Sequence, residues 1–155
     1  MAEYQTLLFA TDFSEGATQA VEHARKLARL TGARLHLLHV ITELADKRRR
    51  RIPADVIDTF IREITRHAEE DMQSFKEKYF ADAESLGFEV TYEVSIGTGH
   101  EDILKAAEAI QADLIILGTH GRTGIEKVLV GSTAERVVRH SPIPVLTVRN
   151  DKPRD

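Results

Sequence analysis

The sequence contains no cysteine and no tryptophan. The missing cysteine excludes a disulfide framework, thiolate metal sites, iron–sulfur ligation and a cysteine nucleophile, and it suits a reducing cytoplasm. Aromatic residues make up only 6% of the chain, which argues against a stacking platform for nucleic acid. Lys and Arg number 21 against 25 Asp and Glu, a formal charge of −4, so no global basic field exists to hold a polyanion. Nucleic acid is therefore not an expected partner. No apolar run approaches the ~20 residues of a membrane span. The opening Met1-Ala2-Glu3-Tyr4-Gln5 lacks a basic segment followed by an apolar stretch, so no signal peptide is expected and the expected location is the cytoplasm.

What is present suits one globular domain over residues 1–155. With 42% hydrophobic residues, a chain of this length buries about 70% of its extended surface and needs no covalent staple. Short apolar runs recur at Leu7–Ala10, Leu35–Ile41, Val90–Ile96, Leu114–Leu117 and Val145–Val148. Near-continuous runs of this kind mark strands covered on both faces. The third run alternates instead, with Val90, Tyr92, Val94 and Ile96 on one side and Glu89, Thr91, Glu93 and Ser95 on the other. It reads as a half-exposed strand at a sheet edge.

Helical periodicity fills the gaps. Ala17, Ala20, Val21, Ala24, Leu27 and Ala28 follow a 3.6-residue spacing, with Ser14 placed to cap the helix and Gly32 to end it. A second stripe runs from Val56 to Leu86, with Pro53 suited to its first turn and Gly87 to its end. One helix of that length would span about 50 Å, so a bend or break is expected near its middle. Ile103, Leu104, Ala107 and Ile110 mark a third helix, for which Thr98-x-x-Glu101 reads as a capping box; Ser132-x-x-Glu135 reads as another, opening a fourth helix. The resulting β-α-β-α-β-α-β-α-β order predicts an α/β fold: an open five-stranded parallel sheet, order 3-2-1-4-5, with helices on both faces. Ligands of such sheets sit beyond the carboxyl ends of the strands where the order reverses, here at Thr11-Asp12 and Gly118.

The stretch Gly118-Thr-His-Gly-Arg-Thr-Gly-Ile-Glu-Lys-Val-Leu-Val-Gly-Ser-Thr follows the fourth strand directly. Gly118 and Gly121 let backbone approach a ligand closely. Gly131 and Ser132 stand at a helix N-terminus, where backbone N–H groups and the dipole favour an anion, and Arg122 adds one nearby positive charge. The chemistry is phosphate binding by amides; the plainer alternative is a glycine-rich turn with an ordinary N-cap. Neither GxxxxGK[ST] nor GxGxxG is present. Gly97-Thr-Gly99 leads into Glu101-Asp102 and reads as the start of the third helix.

Gly118-x2-Gly121-x9-Gly131-Ser132 resembles the G-2x-G-9x-G-[S/T] motif of the ATP-binding branch of the universal stress protein family. The flanks Ala10-Thr11-Asp12-Phe13-Ser14-Glu15, Leu37-Leu38-His39-Val40, Ala112–Gly118 and Ser141–Val148 are similar to that family as well, so the likeness covers about residues 3 to 149. The resemblance implies ATP as ligand. Asp12, with Ala10 and Thr11, would contact ribose and adenine, and Val40 would pack on the adenine. Leu117, Gly118, His120, Gly121 and Arg122 would line the ribose–phosphate side. Gly131, Ser132 and Thr133 would hold the phosphates. Mg or Mn would be bound mainly through phosphate oxygens and water. The resemblance also implies a homodimer through the fifth strand, Pro144–Arg149. That strand is left at a sheet edge by the expected order, and its apolar run carries no charge or Gly.

Other residues carry plainer readings. His36 and His39 fall on opposite faces of the second strand and suit core or rim roles rather than a metal pair. Ser132 has no GxSxG elbow around it. The run Lys47–Arg51 reads as a solvated loop, with attraction of an anion as the sharper alternative. The expected function is an ATP-binding component of stress response or signalling. The alternatives are a slow ATPase or nucleotidyl-transfer enzyme of the same fold, and an interaction module with an empty glycine loop. No arginine finger, catalytic lysine pair or acidic metal cluster points to fast phosphoryl transfer.

Overall fold

A computed structural model describes residues 3–42, 52–119 and 132–149. Strands β1 (Thr6–Ala10), β2 (Arg34–Ile41), β3 (Val90–Ile96), β4 (Leu114–Gly118) and β5 (Val145–Val148) form one sheet in the order β3-β2-β1-β4-β5. Every neighbouring pair is parallel. The helices are α1 (Glu15–Thr31), α2 (Ala54–Phe80), α3 (Ala83–Leu86), α4 (His100–Ala109) and α5 (Ser132–His140). The predicted topology is thus the observed one. Lys47–Arg51 and Asn150–Asp155 lie outside the described residues.

The pleat of the central strands divides the core in two. Leu7, Phe9, Leu35, Leu37 and Ile116 face one layer, where Ala17, Ala20, Ala24 and Ala28 of α1 and Met72 and Phe75 of α2 cover them. Leu8, Leu38, Ile115 and Leu117 face the other, against Ile103 and Ala107 of α4 and Ala134 and Val137 of α5. The small alanine row lets α1 approach the sheet closely. Gly32 ends α1 in the left-handed region (φ 70°), its N–H donating to the Ala28 carbonyl at 2.8 Å, and Gly87 (φ 90°) ends α3 in the same way. Ser14 holds the N-cap position of α1, but its side chain makes no capping bond.

The expected break in the middle of the second helix is corrected by the structure. α2 runs without interruption for 27 residues, and the break falls at Ala81–Asp82, between α2 and α3. The buried positions Ala68, Met72, Phe75 and Phe80 all lie in its second half. The first half leaves Val56 and Phe60 about half exposed, and the helix is stiffened locally by Arg66, which bonds Glu63 and Glu70 at 2.8 Å each. At about 40 Å the helix is longer than the strands beneath it. Pro53 takes the N-cap position, just outside the first turn.

The α2–α3 corner is fastened to α1. The Arg25 guanidinium makes two parallel bonds to the Asp82 carboxylate, at 2.7 and 2.9 Å, and a third to the Tyr79 carbonyl. The hydrogen bond from Arg25, with its charge, holds the Asp82 carboxyl below the usual carboxylate range, and Asp82 in turn raises Arg25. A native value below the unfolded one means stability that is complete above the ordinary carboxylate pKa of about 3.9 and lost as pH falls through the lowered native value. Both groups touch water, so the effect is small. Asp82→Asn is therefore expected to lower the melting temperature by a few degrees at most at pH 7. Melting curves of parent and variant should converge as pH drops below the carboxylate range; a gap that persists at low pH would assign the effect to something other than this pair.

Candidate functional site

The order reverses between β1 and β4. From β1 the chain passes through α1 toward β2; from β4 it passes through α5 toward β5. The two crossovers diverge and open a crevice at the carboxyl ends of these strands. Ala10 is paired with both Leu38 and Leu117 at this edge, and Ala10 and Val40 pack against the layer that contains Leu117. Ala10, Thr11, Asp12, Val40, Leu117 and Gly118 are therefore brought to one end of the sheet, as the sequence predicts. Thr133, in the first turn of α5, is exposed. His120, Gly121, Arg122 and Gly131 lie outside the described residues, as does the side chain of Ser132.

The turn after β1 is tightly specified. The Thr11 N–H donates to the Leu38 carbonyl at 2.9 Å, extending the β1–β2 ladder by one residue. The Phe13 N–H donates to the Thr11 hydroxyl and the Ser14 N–H to the Asp12 carboxylate, each at 3.0 Å. These are local side-chain-to-backbone turns that Thr and Asp make readily. They fix the Asp12 carboxylate at the mouth of the crevice, half-buried. Phe13 sits in the left-handed region at φ 64°, a conformation that costs a bulky residue energy.

The other wall comes from the start of α4. Asp102 accepts hydrogen bonds from the N–H groups of Thr98 (2.8 Å) and Gly99 (3.2 Å). This corrects the expected capping box by one residue: Gly99 is the N-cap and Asp102 the reaching carboxylate, rather than Thr98 and Glu101. The reason is backbone shape. Gly99 adopts φ 117°, which a β-branched Thr cannot, and a Cβ on Gly97 would overlap the Asp102 carboxylate at 2.0 Å. A Cβ on Gly99 would point at the Thr133 side chain, 3.7 Å from its hydroxyl, so the N-terminal ends of α4 and α5 are neighbours. At the second proposed box, Glu135 bonds Arg139 at 2.9 Å along the helix.

Three residues at this end were not among the predicted site residues. Thr119, next after β4, is only 2% exposed, and its hydroxyl has no hydrogen-bond partner among the described residues. A buried hydroxyl left without a partner is costly. Phe13 and His39 form the second and third: their rings lie 4.4 Å apart, and His39 Nδ1 is 2.8 Å from the Thr11 carbonyl. His39 takes the core role expected of it, and its bond to the Thr11 carbonyl is what sequence reasoning did not reveal. His36, on the opposite face, bonds Thr91 (2.7 Å) and Glu93 (3.2 Å) of β3, which separates the two histidines as expected. Among the described residues no group of three or more His, Asp or Glu side chains is placed to hold a metal ion. An open groove of about 580 Å³ between α1 and the end of α2, lined by Arg25, Tyr79 and Asp82 among others, contains none of the predicted site residues.

An open parallel sheet with a crevice at its reversal, a fixed carboxylate on one lip and two helix N-termini on the other, defines an α/β protein of the kind that takes small polar ligands at the strand ends. Residues 3–149 match the Universal stress protein family. Universal stress protein MJ0577 of Methanocaldococcus jannaschii is 33% identical over 154 residues, covering 94% of this chain and 95% of that protein. A solved structure of MJ0577 superposes with a TM-score of 0.81 over 97% of this chain and 99% of its own. Universal stress protein UspA from Lactobacillus plantarum, 28% identical, gives a TM-score of 0.80 over 96% of this chain and all of that one. Universal stress protein G of Escherichia coli O157:H7 is 32% identical over 148 residues, 94% of this chain and 99% of that protein. The chain belongs to the universal stress protein family.

The cap at α4 gives a direct test. Asp102→Ala removes a carboxylate that satisfies two N–H groups and is expected to cost about 1 kcal/mol. Gly97→Ala displaces the same carboxylate and should cost about as much. Because both act on one interaction, the double variant should lose clearly less than the sum. Urea unfolding of the four proteins measures this, and simple additivity would refute the shared cause.

Proposed function

We propose that the protein binds ATP at the carboxyl edge of the sheet and serves in stress response or signalling as a cytoplasmic nucleotide-binding module rather than a turnover enzyme. The observation that carries the reading is a coincidence of position. Gly118, the first glycine of Gly118-x2-Gly121-x9-Gly131-Ser132, ends β4 at the topological reversal, and the segment re-enters α5 where its N-terminus adjoins that of α4. Asp12 suits the ribose hydroxyls as an acceptor, with Ala10 and Thr11 beside it and Val40 as an apolar surface for the adenine. Leu117, Gly118, His120, Gly121 and Arg122 line the ribose–phosphate side. Backbone N–H groups of Gly131, Ser132 and Thr133 receive the phosphates at the start of α5. The paired helix ends fit an oxygen-rich anion. A bound Mg or Mn ion would neutralise phosphate charge, held mainly by phosphate oxygens and water.

Calorimetry and thermal melting with ATP and Mg²⁺ test this. At ~100 times its Kd, ATP should stabilise the fold by about 2.7 kcal/mol. Gly131→Val should abolish the effect without unfolding the domain, since its branched Cβ intrudes where the amides must reach the anion. Asp12→Ala should weaken ATP, ADP and AMP alike. No binding at millimolar ATP would refute the reading. Steady conversion to ADP at the 1–100 s⁻¹ of kinases would place the protein among enzymes instead.

The same reading includes a homodimer through Pro144–Arg149. β5 pairs with β4 along one side only, and Val145, Leu146 and Thr147 are half-buried. The opposite edge, β3, carries Glu93, and Lys76 of α2 lies 5.7 Å from its Tyr92 ring, charges of the kind that discourage strand addition. Among the described residues β5 itself carries no such charge, and a two-fold axis would pair it antiparallel with its copy. Light scattering should give a dimer for the parent and a monomer for Leu146→Pro, which removes an N–H and obstructs pairing. A parent that stays monomeric at every concentration overturns the interface.

A further inference from the structure

The β1–α1 turn holds a bulky residue, Phe13, in left-handed backbone at φ 64°. Such strain persists only where the surroundings over-determine it. The surroundings here converge on one side chain of the neighbouring strand. His39 is buried at 5% exposure, on the α1/α2 face of β2. Its Nδ1 lies 2.8 Å from the Thr11 carbonyl. A carbonyl only accepts, so Nδ1 carries the proton and the bond runs from ring to backbone. The same ring lies 4.4 Å from the Phe13 ring, and Phe75 of α2 meets Phe13 edge-on at 5.8 Å.

The residue between these two anchors is Asp12. Its preceding residue, Thr11, is held at the N–H by the Leu38 carbonyl and at the C=O by His39; its following residue, Phe13, packs its ring on both His39 and Phe75. We propose that His39 is the positioning residue of the ligand-facing turn: by clamping the Thr11 carbonyl and the Phe13 ring together it fixes where Asp12 presents its carboxylate. The proposal rests on the ATP-binding reading for the role of Asp12, though not for the clamp itself. His39 does not touch the ligand, since its ring lies on the face of the sheet opposite Val40. It acts through the turn, so its loss shows as weaker affinity in a folded protein.

The conservative variants separate positioning from packing. Asn carries an N–H two bonds from Cβ, as Nδ1 does, whereas the amide of Gln lies one bond further out and Phe offers a ring without a donor. His39→Phe and His39→Gln are expected to lose about tenfold in ATP affinity, and His39→Asn to recover most of it. A second readout needs no ligand. The Ser14 N–H, bonded to the Asp12 carboxylate at 3.0 Å, reports the turn directly. Its amide should exchange faster and shift in the NMR spectra of His39→Phe and His39→Gln, and return toward the parent in His39→Asn. Nitrogen-15 spectra of the parent should show His39 protonated at Nδ1. If ATP fails to bind even the parent, the functional reading falls while the Ser14 amide still decides the clamp. An unchanged Ser14 amide in His39→Gln, or His39→Asn behaving no better than His39→Gln, overturns the proposal.

Discussion

The whole architecture follows from the burial of β1 on both faces. Leu7, Leu8 and Phe9 are each wholly hidden from water although they alternate between the two sides of the sheet. A strand in that position needs helices above and below and a strand on either hand. Parallel pairing with β2 and β4 supplies the strands, and right-handed crossovers then supply the helices in the required layers. One consequence is that the chain can reach solvent only at the strand ends. At the carboxyl end it does so as Thr11, Asp12 and Phe13, and the reversal between β1 and β4 keeps the neighbouring helices from closing over them.

The physical demands on that end differ from those on the core. The core asks for volume, met by aliphatic side chains against a row of alanines. The strand ends ask for backbone N–H and C=O groups to be satisfied while polar atoms remain available. Thr11 and Asp12 resolve this with short turns to their own backbone, and Asp102 does the same for Thr98 and Gly99. Each lip of the crevice is therefore shaped by a carboxylate or hydroxyl that also organises a helix entry. Phe13 accepts strained left-handed backbone at this end, whereas Gly99 uses a conformation that glycine adopts freely.

Much of this was legible in the residues. The continuous runs of β1, β2 and β4 announced strands covered on both sides, and the alternation of β3 announced an edge, because each pattern reflects how many faces meet water. Gly118 at the end of β4 and Asp12 after β1 could be placed at one end once the order was known. Legibility stopped where geometry rather than periodicity decides. Thr98-x-x-Glu101 has the letters of a capping box, yet the backbone that Gly97 and Gly99 allow moves the cap to Asp102. The length of α2 suggested a break at its middle because sequence alone does not say how far a helix can outrun the strands beneath it. The pairing of His39 with the Thr11 carbonyl was invisible for a similar reason: a side chain on one strand meets the backbone of another only through the register.

The uneven burial of α2 has a consequence for how the molecule opens. Its second half is anchored by Met72, Phe75 and Phe80 in the main core, while Ile57, Ile61 and Ile64 of its first half are only half-buried and Arg66 pairs with Glu63 and Glu70 along the surface. Interactions of that kind weaken with salt and contribute little against helix–coil fraying. The helix is thus two thermodynamic segments in one continuous rod. The anchored segment unfolds with the domain, whereas the less buried one unwinds from its N-terminal end at far lower cost, and proteases or chaperones would meet this segment first.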